Sequence, residues 1–215
     1  MTRTASYENI AAYSASFISR IGKRMPGSIH YSQIEGESKA LIFGRDFHTA
    51  LLEPELYKGD DIELRAIVRA IRSNVTVSRL LSDKKVKVEQ WKRGWILGRR
   101  FKGILDVEIG RTGIDFKTTT ARNLEEFIKL FNDYGYWNQA YIYMKLAKLT
   151  RFFFIGIQKR RVQRKAFFVN VGDFPERMAQ APKDIKDRIE WYEKVTGTRL
   201  DVQASRRKLG KSFRW

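Results

Sequence analysis

The sequence predicts an α/β (α+β) fold in which a mixed central β-sheet is flanked by α-helices. Helical periodicity dominates up to residue 81, strand-like alternation follows from residue 85 to residue 118, and helices and strands then alternate along the chain. Elements in this order bury their apolar faces by packing helices against a sheet. The 215 residues are enough for one domain with a substantial core.

We therefore predict a single domain over residues 1–215, with a core at 38–171, a helical part at 1–37 before it, and a helix with a basic tail at 172–215 after it. Gly22 is predicted to stop the first helix, a loop follows, and Ser38 caps the second helix. Apolar spacing predicts helices over residues 6–21, 39–52, 60–73, 75–81, 123–131, 136–149 and 175–195.

Three pairs of strands are predicted. Residues 85–91 and 94–100 form one hairpin, and residues 101–109 and 113–118 form a second, whose turn is flanked by glycines. The third pair contains the runs FFFIGI and AFFVNV, which end at residues 157 and 171. Such continuously apolar runs are typical of strands that are buried on both faces.

The second hairpin carries two carboxylates and an ammonium group. Asp115 and Lys117 alternate with Ile114 and Phe116, so the pleat puts the acid and the amine on one face, and Asp106 lies on the partner strand. Carboxylates that converge beside an ammonium suit phosphodiester hydrolysis with a hard divalent cation. An ordinary surface ion pair on a hairpin explains the same pattern.

Two further candidates leave alternatives open. His48, one of only two histidines, lies on an apolar helix face and is either a hydrogen-bonded core residue or a ligand. Gly44, one turn earlier, favours the close approach of another backbone. Glu89 lies on a strand, where it either points toward the carboxylate centre or pairs with Lys87 or Arg93.

Gln139 and Tyr143 are four residues apart on a predicted helix and therefore share a face. The two side chains would hold a scissile phosphate or a base. Alternatively, Tyr143 lies at the core edge beside a solvated Gln139. The spacing alone does not choose between these interpretations.

The charge of the chain indicates a polyanionic partner. The sequence has 42 Lys and Arg against 24 Asp and Glu, a net charge of +18, and its pI is about 10.2, which is typical of nucleic-acid binding. The basic tail at 206–215 is a further candidate contact. Without an 18-residue apolar run or a signal-peptide core, we expect no membrane association. The absence of cysteine excludes disulfides and cysteine-bound metal clusters, and fits a cytoplasmic protein.

Four motifs follow each other along the chain: FGRDFHTALLEPE at 43–55, KGILD at 102–106, IDFKTT at 114–119 and YGYWNQAYIY at 134–143. In this order they resemble the PD-(D/E)XK nuclease superfamily, and more narrowly its RecB/RecE-like branch with the exonuclease VIII and lambda exonuclease groups. The resemblance extends over about residues 41–171 and implies a restriction-endonuclease-like core. Leu105 replaces the proline of the family motif.

The resemblance implies a metal site. Mg²⁺, with Mn²⁺ as a substitute, would be bound by Asp106, Asp115, the backbone carbonyl of Phe116 and His48. Glu89 would be the strand glutamate that relatives place beside the metal, and would belong with the two aspartates among the catalytic residues.

The resemblance also implies roles for three residues around the metal. Lys117, the remaining catalytic residue, would orient or activate the attacking water and stabilise charge on the phosphate. Gln139 and Tyr143 would position the substrate strand.

The implied activity is that of a metal-dependent DNA exonuclease which digests linear double-stranded ends from 5′ to 3′ in recombination or repair, in a bacterial or phage-infected cell. By resemblance, the partners would be other copies of the chain, in a trimeric or tetrameric ring, and a single-strand annealing protein. The alternatives are an endonuclease or single-strand-preferring nuclease of the same fold, and a catalytically inactive basic DNA-binding protein.

Overall fold

A five-stranded mixed sheet forms the centre of the structure, a computed structural model that describes residues 11–26, 39–159 and 164–200. Neighbouring strands follow each other in chain order across the sheet. The third and fourth strands are parallel and the other neighbours are antiparallel. The strands are β1 Val86–Ile96, β2 Arg99–Ile109, β3 Thr112–Thr119, β4 Arg151–Gln158 and β5 Ala166–Asn170.

Helices cover both faces of this sheet, so the predicted fold class is confirmed. The described helices are α1 Ala15–Arg24, α2 Lys39–Leu52, α3 Ile62–Arg72, α4 Val75–Leu81, α5 Leu124–Tyr134, α6 Tyr136–Ala147 and α7 Pro175–Thr196. Helices α2, α3 and α4 share one apolar core with the sheet, and α1, α5, α6 and α7 share the other. None of the described helices is both long enough and apolar enough to span a bilayer.

The alternation of side chains along the inner strand β4 shows how the sheet separates the two cores. Phe152 and Phe154 point into the core of α5 to α7, whereas Ile155 and Ile157 point into the core of α2 to α4. Burial of each such side chain contributes about 1.5–3 kcal/mol. The prediction that the last strand is also buried on both faces is wrong, because β5 is an edge strand and Phe168 is exposed.

The N-terminal helix differs from its prediction. Helix α1 begins at Ala15, because Ser14 is extended and its hydroxyl accepts the Phe17 N–H as a cap. Before it, Tyr13 makes a parallel bridge with β2. The helix passes through Gly22, which is therefore not a stop. Residues 6–10, the predicted cap Ser38 and the tail at 206–215 lie outside the described residues.

The first predicted hairpin is also wrong. Residues 85–91 and 94–100 do not pair with each other, because β1 continues without a break to Ile96 and pairs along its length with β2. The turn lies instead at Leu97 and Gly98, whose φ angles are 50° and 70°. Two successive residues of positive φ give a tight turn that matches the twist of a hairpin.

Candidate metal centre

The candidate site lies where β2 and β3 separate. The two strands pair only over residues 107–109 and 112–114. Beyond this point the Asp106 carboxylate takes the place of a strand carbonyl, since its Oδ2 accepts a hydrogen bond of 2.8 Å from the Phe116 N–H. The sheet thus forks at Asp106 and holds its carboxylate in the opening.

The strands also change layer at this position. Leu105 packs in the core of α5 to α7 and Val107 in the core of α2 to α4, although strand alternation would put both side chains on one side. On the neighbouring strand β1, Glu89 has a φ of 49°. The left-handed region costs a non-glycine residue about 1–3 kcal/mol, and such strain is typical of functional sites.

Three potential ligands converge at the fork. His48 of α2 places its Nδ1 3.1 Å from Asp106 Oδ2, and one ligand atom each of His48, Glu89 and Asp106 lies within 4.8 Å of the other two. Among the described residues, buried Glu89 Oε1 has no hydrogen-bond partner, and no ion pair joins Glu89 to Lys87 or Arg93. Glu89 therefore points toward the carboxylate centre, and these three residues form a candidate metal triad.

The electrostatics of the triad favour a cation. Burial, followed by repulsion from Asp106, raises the pKa of Glu89 to about 7. Burial alone would also raise the pKa of Asp106, but the charge and hydrogen bond of His48 lower it overall. Burial alone would lower the pKa of His48, and Asp106 raises it instead. One nitrogen and two carboxylate donors, one of them an unpartnered buried oxygen, fit a divalent metal ion.

Asp115 and Lys117 occupy one face of β3, as predicted, and Ile114 and Phe116 pack on the other. Lys117 Nζ is ion-paired with Asp115 Oδ2, and Gln139 Nε2 donates a 2.5 Å hydrogen bond to Asp115 Oδ1. This pair is not an exposed surface ion pair, because the Asp115 side chain is only 1% exposed.

The pair is electrostatically coupled to the triad. Burial, followed by repulsion from Asp106, raises the pKa of Asp115 to about 6. Burial alone would lower the pKa of Lys117, but the charge of Asp115 outweighs it and raises that pKa. At neutral pH the ammonium therefore stays protonated beside an ionised carboxylate.

The structure divides the predicted metal ligands. His48 and Asp106 lie together in the triad, which Glu89 completes, whereas the oxygens of Asp115 contact Lys117 and Gln139. Asp115 and the carbonyl of Phe116 as ligands remain predictions. A metal that recruited Asp115 would have to compete with both of its present partners.

The two helix residues predicted to bind substrate have different surroundings. Gln139 contacts the site directly through Asp115. Tyr143 is buried in the core and packs over Gly103, where an added Cβ would lie 2.4 Å from the tyrosine ring. Among the described residues, no atom outside the backbone of α2 lies within 4 Å of the position of the missing Cβ of Gly44, so no other described backbone approaches it closely.

Sequence reasoning missed one residue at the start of α6, Tyr136. Its ring centre lies 5.1 Å from Lys117 Nζ, and burial raises the pKa of its hydroxyl to about 12. Tyr136 is the first residue of α6, which begins after left-handed Gly135. The sequence pattern does not show which way the side chain of this first helical residue points.

The three-layer architecture, with a carboxylate-bearing fork in the sheet, defines the chain as an α+β protein with a mixed central sheet. The solved structure that it resembles in particular is a candidate exonuclease from Eubacterium rectale, with a TM-score of 0.65 and 17% sequence identity over 86% of this chain and 82% of that one. At this identity, the likeness establishes the fold.

Two more distant structures are an alkaline exonuclease from Laribacter hongkongensis and a phage-related exonuclease from Haemophilus somnus. The first has a TM-score of 0.42 and 12% identity over 91% of this chain and 98% of that one. The second has a TM-score of 0.43 and 10% identity over 86% of this chain and 95% of that one. No protein-family model matches the chain, and no curated protein matches its sequence.

Proposed function

We propose that this protein is a Mg²⁺-dependent deoxyribonuclease of the RecB/RecE-like branch that hydrolyses phosphodiester bonds. One observation carries the proposal: the triad of His48, Glu89 and Asp106 lies at the fork of the sheet, next to the buried Asp115–Lys117 pair. A divalent cation and a fixed positive charge side by side are what hydrolysis of a phosphodiester requires.

The triad residues would hold the metal, with Asp115 and the Phe116 carbonyl as further ligands. A bound Mg²⁺ or Mn²⁺ would supply Lewis acidity and lower the pKa of a coordinated water. The histidine nitrogen among oxygen donors is compatible with Mn²⁺ as a substitute.

Lys117 would act as a fixed positive charge rather than as a base, because its raised pKa keeps it protonated. In this role it stabilises the additional negative charge on the phosphate as the bond breaks. Gln139 would orient Asp115 through its hydrogen bond and, when Asp115 turns to the metal, offer its amide to the substrate. Tyr143 would support this helix face from the core rather than touch the phosphate.

The substrate we propose is linear double-stranded DNA, digested from 5′ to 3′. The net charge of +18 supports a polyanionic substrate. The same proposal includes a ring of identical subunits around the duplex and cooperation with a single-strand annealing protein. The protein would work in recombination or repair, in the cytoplasm of a bacterial or phage-infected cell.

The test compares linear duplex, nicked or closed circular duplex and single-stranded DNA, each with Mg²⁺, Mn²⁺ or a chelator. Asp106→Asn and Lys117→Ala are the site variants. Asp187→Asn and Lys183→Ala, exposed residues of α7, are the matched controls.

We expect metal-dependent loss of the linear duplex alone, abolished by both site variants and by neither control. Labels at the 5′ or 3′ end report polarity. Nicking of closed circles would assign the chain to endonucleases, preference for single strands would change the substrate, and no metal-dependent loss of any substrate would overturn the enzymatic proposal.

A further inference from the structure

The β1–β2 hairpin carries aromatic and basic side chains that the candidate site does not use. Residues 90–105 include five Lys or Arg and no Asp or Glu. Trp91, Arg93 and Trp95 occupy alternate positions of β1 and are exposed, Trp95 to 65% and Trp91 to 44%. Alternate residues of a strand share a face. We call this surface, together with exposed Arg100 of β2, the hairpin face.

The members of the hairpin face are arranged as a stacking surface. Arg100 lies directly across from Trp95, with its guanidinium carbon 5.3 Å from the centre of the indole ring. Proteins bind unpaired nucleotides by stacking bases on aromatic rings while basic side chains attract the backbone. Two exposed tryptophans separated by an arginine provide both kinds of contact.

The opposite side of the hairpin is anchored, which fixes the hairpin face outward. Arg99 donates to both carboxylate oxygens of Glu193 in α7, at 2.8 and 2.7 Å, and Tyr13 Oη donates to Glu193 Oε1 at 2.8 Å. Arg199 donates to the carbonyl of Gly98 in the turn at 2.9 Å. A surface held in place in this way loses little conformational entropy when it binds.

The hairpin face runs toward the candidate metal centre. Trp91 is two residues from Glu89 and Trp95 is six residues from it, which at about 3.3 Å per residue corresponds to roughly 7 and 20 Å along β1. The two tryptophans are therefore about 13 Å apart, a span of at most about four stacked nucleotides. A strand that lay on the hairpin face would be close to the triad at one end.

Charge decides between a nucleic acid and a second copy of this chain as the occupant. A symmetric contact between two hairpin faces would bring Arg93 and Arg100 of one copy against the same residues of the other, and like charges oppose such a contact. A polyanion meets the same surface with complementary charge.

We infer that the hairpin face, Trp91, Arg93, Trp95 and Arg100, binds unpaired nucleotides of single-stranded DNA by base stacking, beside the candidate metal centre. The choice of DNA rests on the proposed function, whereas stacking on the two tryptophans does not. The surface would receive a strand that has separated from its complement.

The test is fluorescence anisotropy in a chelator, so that binding is measured without hydrolysis. The probes are a labelled single-stranded DNA of about 12 nucleotides, the RNA of the same sequence, and a blunt duplex. The variants are Trp95→Ala, the double change Trp91→Ala with Trp95→Ala, and Trp95→Phe, which keeps an aromatic ring. Phe168→Ala removes an exposed aromatic residue from the opposite edge strand and is the matched control.

We expect Trp95→Ala to weaken binding of single-stranded DNA by about tenfold and the double variant to weaken it further. Trp95→Phe and Phe168→Ala should stay within about twofold of the unchanged protein, and blunt-duplex binding should change little. The inference would be overturned by any of four results: unchanged single-strand binding in the double variant, an equal loss of binding to the blunt duplex, tighter binding of the RNA than of the DNA, or a changed oligomeric state as the sole effect. Because the probe is not cleaved, these outcomes are independent of whether the protein hydrolyses DNA.

Discussion

A carboxylate oxygen of Glu89 lies within 4.8 Å of one of Asp106, across two neighbouring strands and with His48 beside both. Half-buried Glu89 and buried Asp106 repel each other at this distance when both are ionised, which contributes to the raised pKa of Glu89. The fold therefore holds these ligands together against their own repulsion. A cation would remove this repulsion, and the first two predictions follow from it.

Binding of Mn²⁺ to the unchanged protein should weaken as the pH falls through about 7. Protonation of Glu89, with its pKa raised to about 7, removes one ligand charge, and protonated His48 cannot coordinate. Isothermal titration at pH 6, 7 and 8 measures the effect. Equal affinity at all three values would mean that Glu89 is not a ligand.

Glu89→Gln should stabilise the metal-free protein at pH 8. A pKa raised from 4.5 to about 7 by folding contributes stability that is fully present below pH 4.5 and is lost as pH rises through about 7. The amide removes this loss, so the variant should gain roughly 1–3 kcal/mol at pH 8 and only about a quarter as much at pH 5. Urea unfolding in a chelator at both pH values checks it. A gain of the same size at pH 5 would mean that the ionisation of Glu89 is not its cause.

Lys117→Ala should lower kcat by a factor of about 10²–10³ without weakening metal binding. The reason is that the lysine ammonium stabilises the negative charge of the phosphate and is not a ligand of the metal. Removal of Lys117 also frees an oxygen of Asp115. Turnover of linear duplex and Mn²⁺ titration of the same preparation give both quantities. A parallel loss of turnover and metal affinity would mean that Lys117 acts only by ordering the ligands.

Gly103→Ala and Gly44→Ala should have opposite effects on stability. The methyl group at residue 103 would lie 2.4 Å from a carbon of the Tyr143 ring, and such overpacking costs about 1–3 kcal/mol. The methyl group at residue 44 meets no described atom within 4 Å and should stabilise α2 by about 0.5–1 kcal/mol. Thermal unfolding of both variants measures the difference. In a protein that already carries Tyr143→Ala, Gly103→Ala should cost less stability than it does in the unchanged protein. An equal cost in both backgrounds would contradict the contact.

Local patterns predicted most elements because periodicity reports which face of a segment is apolar. Helix α2 has its predicted bounds at 39–52, and the alternation of Asp115 and Lys117 with Ile114 and Phe116 put acid and amine on one face. The prediction of the first hairpin is wrong because it places the turn between residues 91 and 94, whereas the turn uses two residues of positive φ at 97 and 98. Glycine identity does not distinguish a turn from a strand position that packs under a helix.

The sequence by itself determined the sheet and its helices, the acidic, basic and histidine side chains available to the candidate site, and the net charge of +18, since these depend on composition and short-range spacing. The tertiary structure alone decided the direction of Glu89, the partners of Asp115 and the outward orientation of the two tryptophans on the hairpin face. The reason is physical. These features depend on contacts among residues far apart in the chain, such as Asp106 with His48, Asp115 with Gln139, and Arg99 with Glu193.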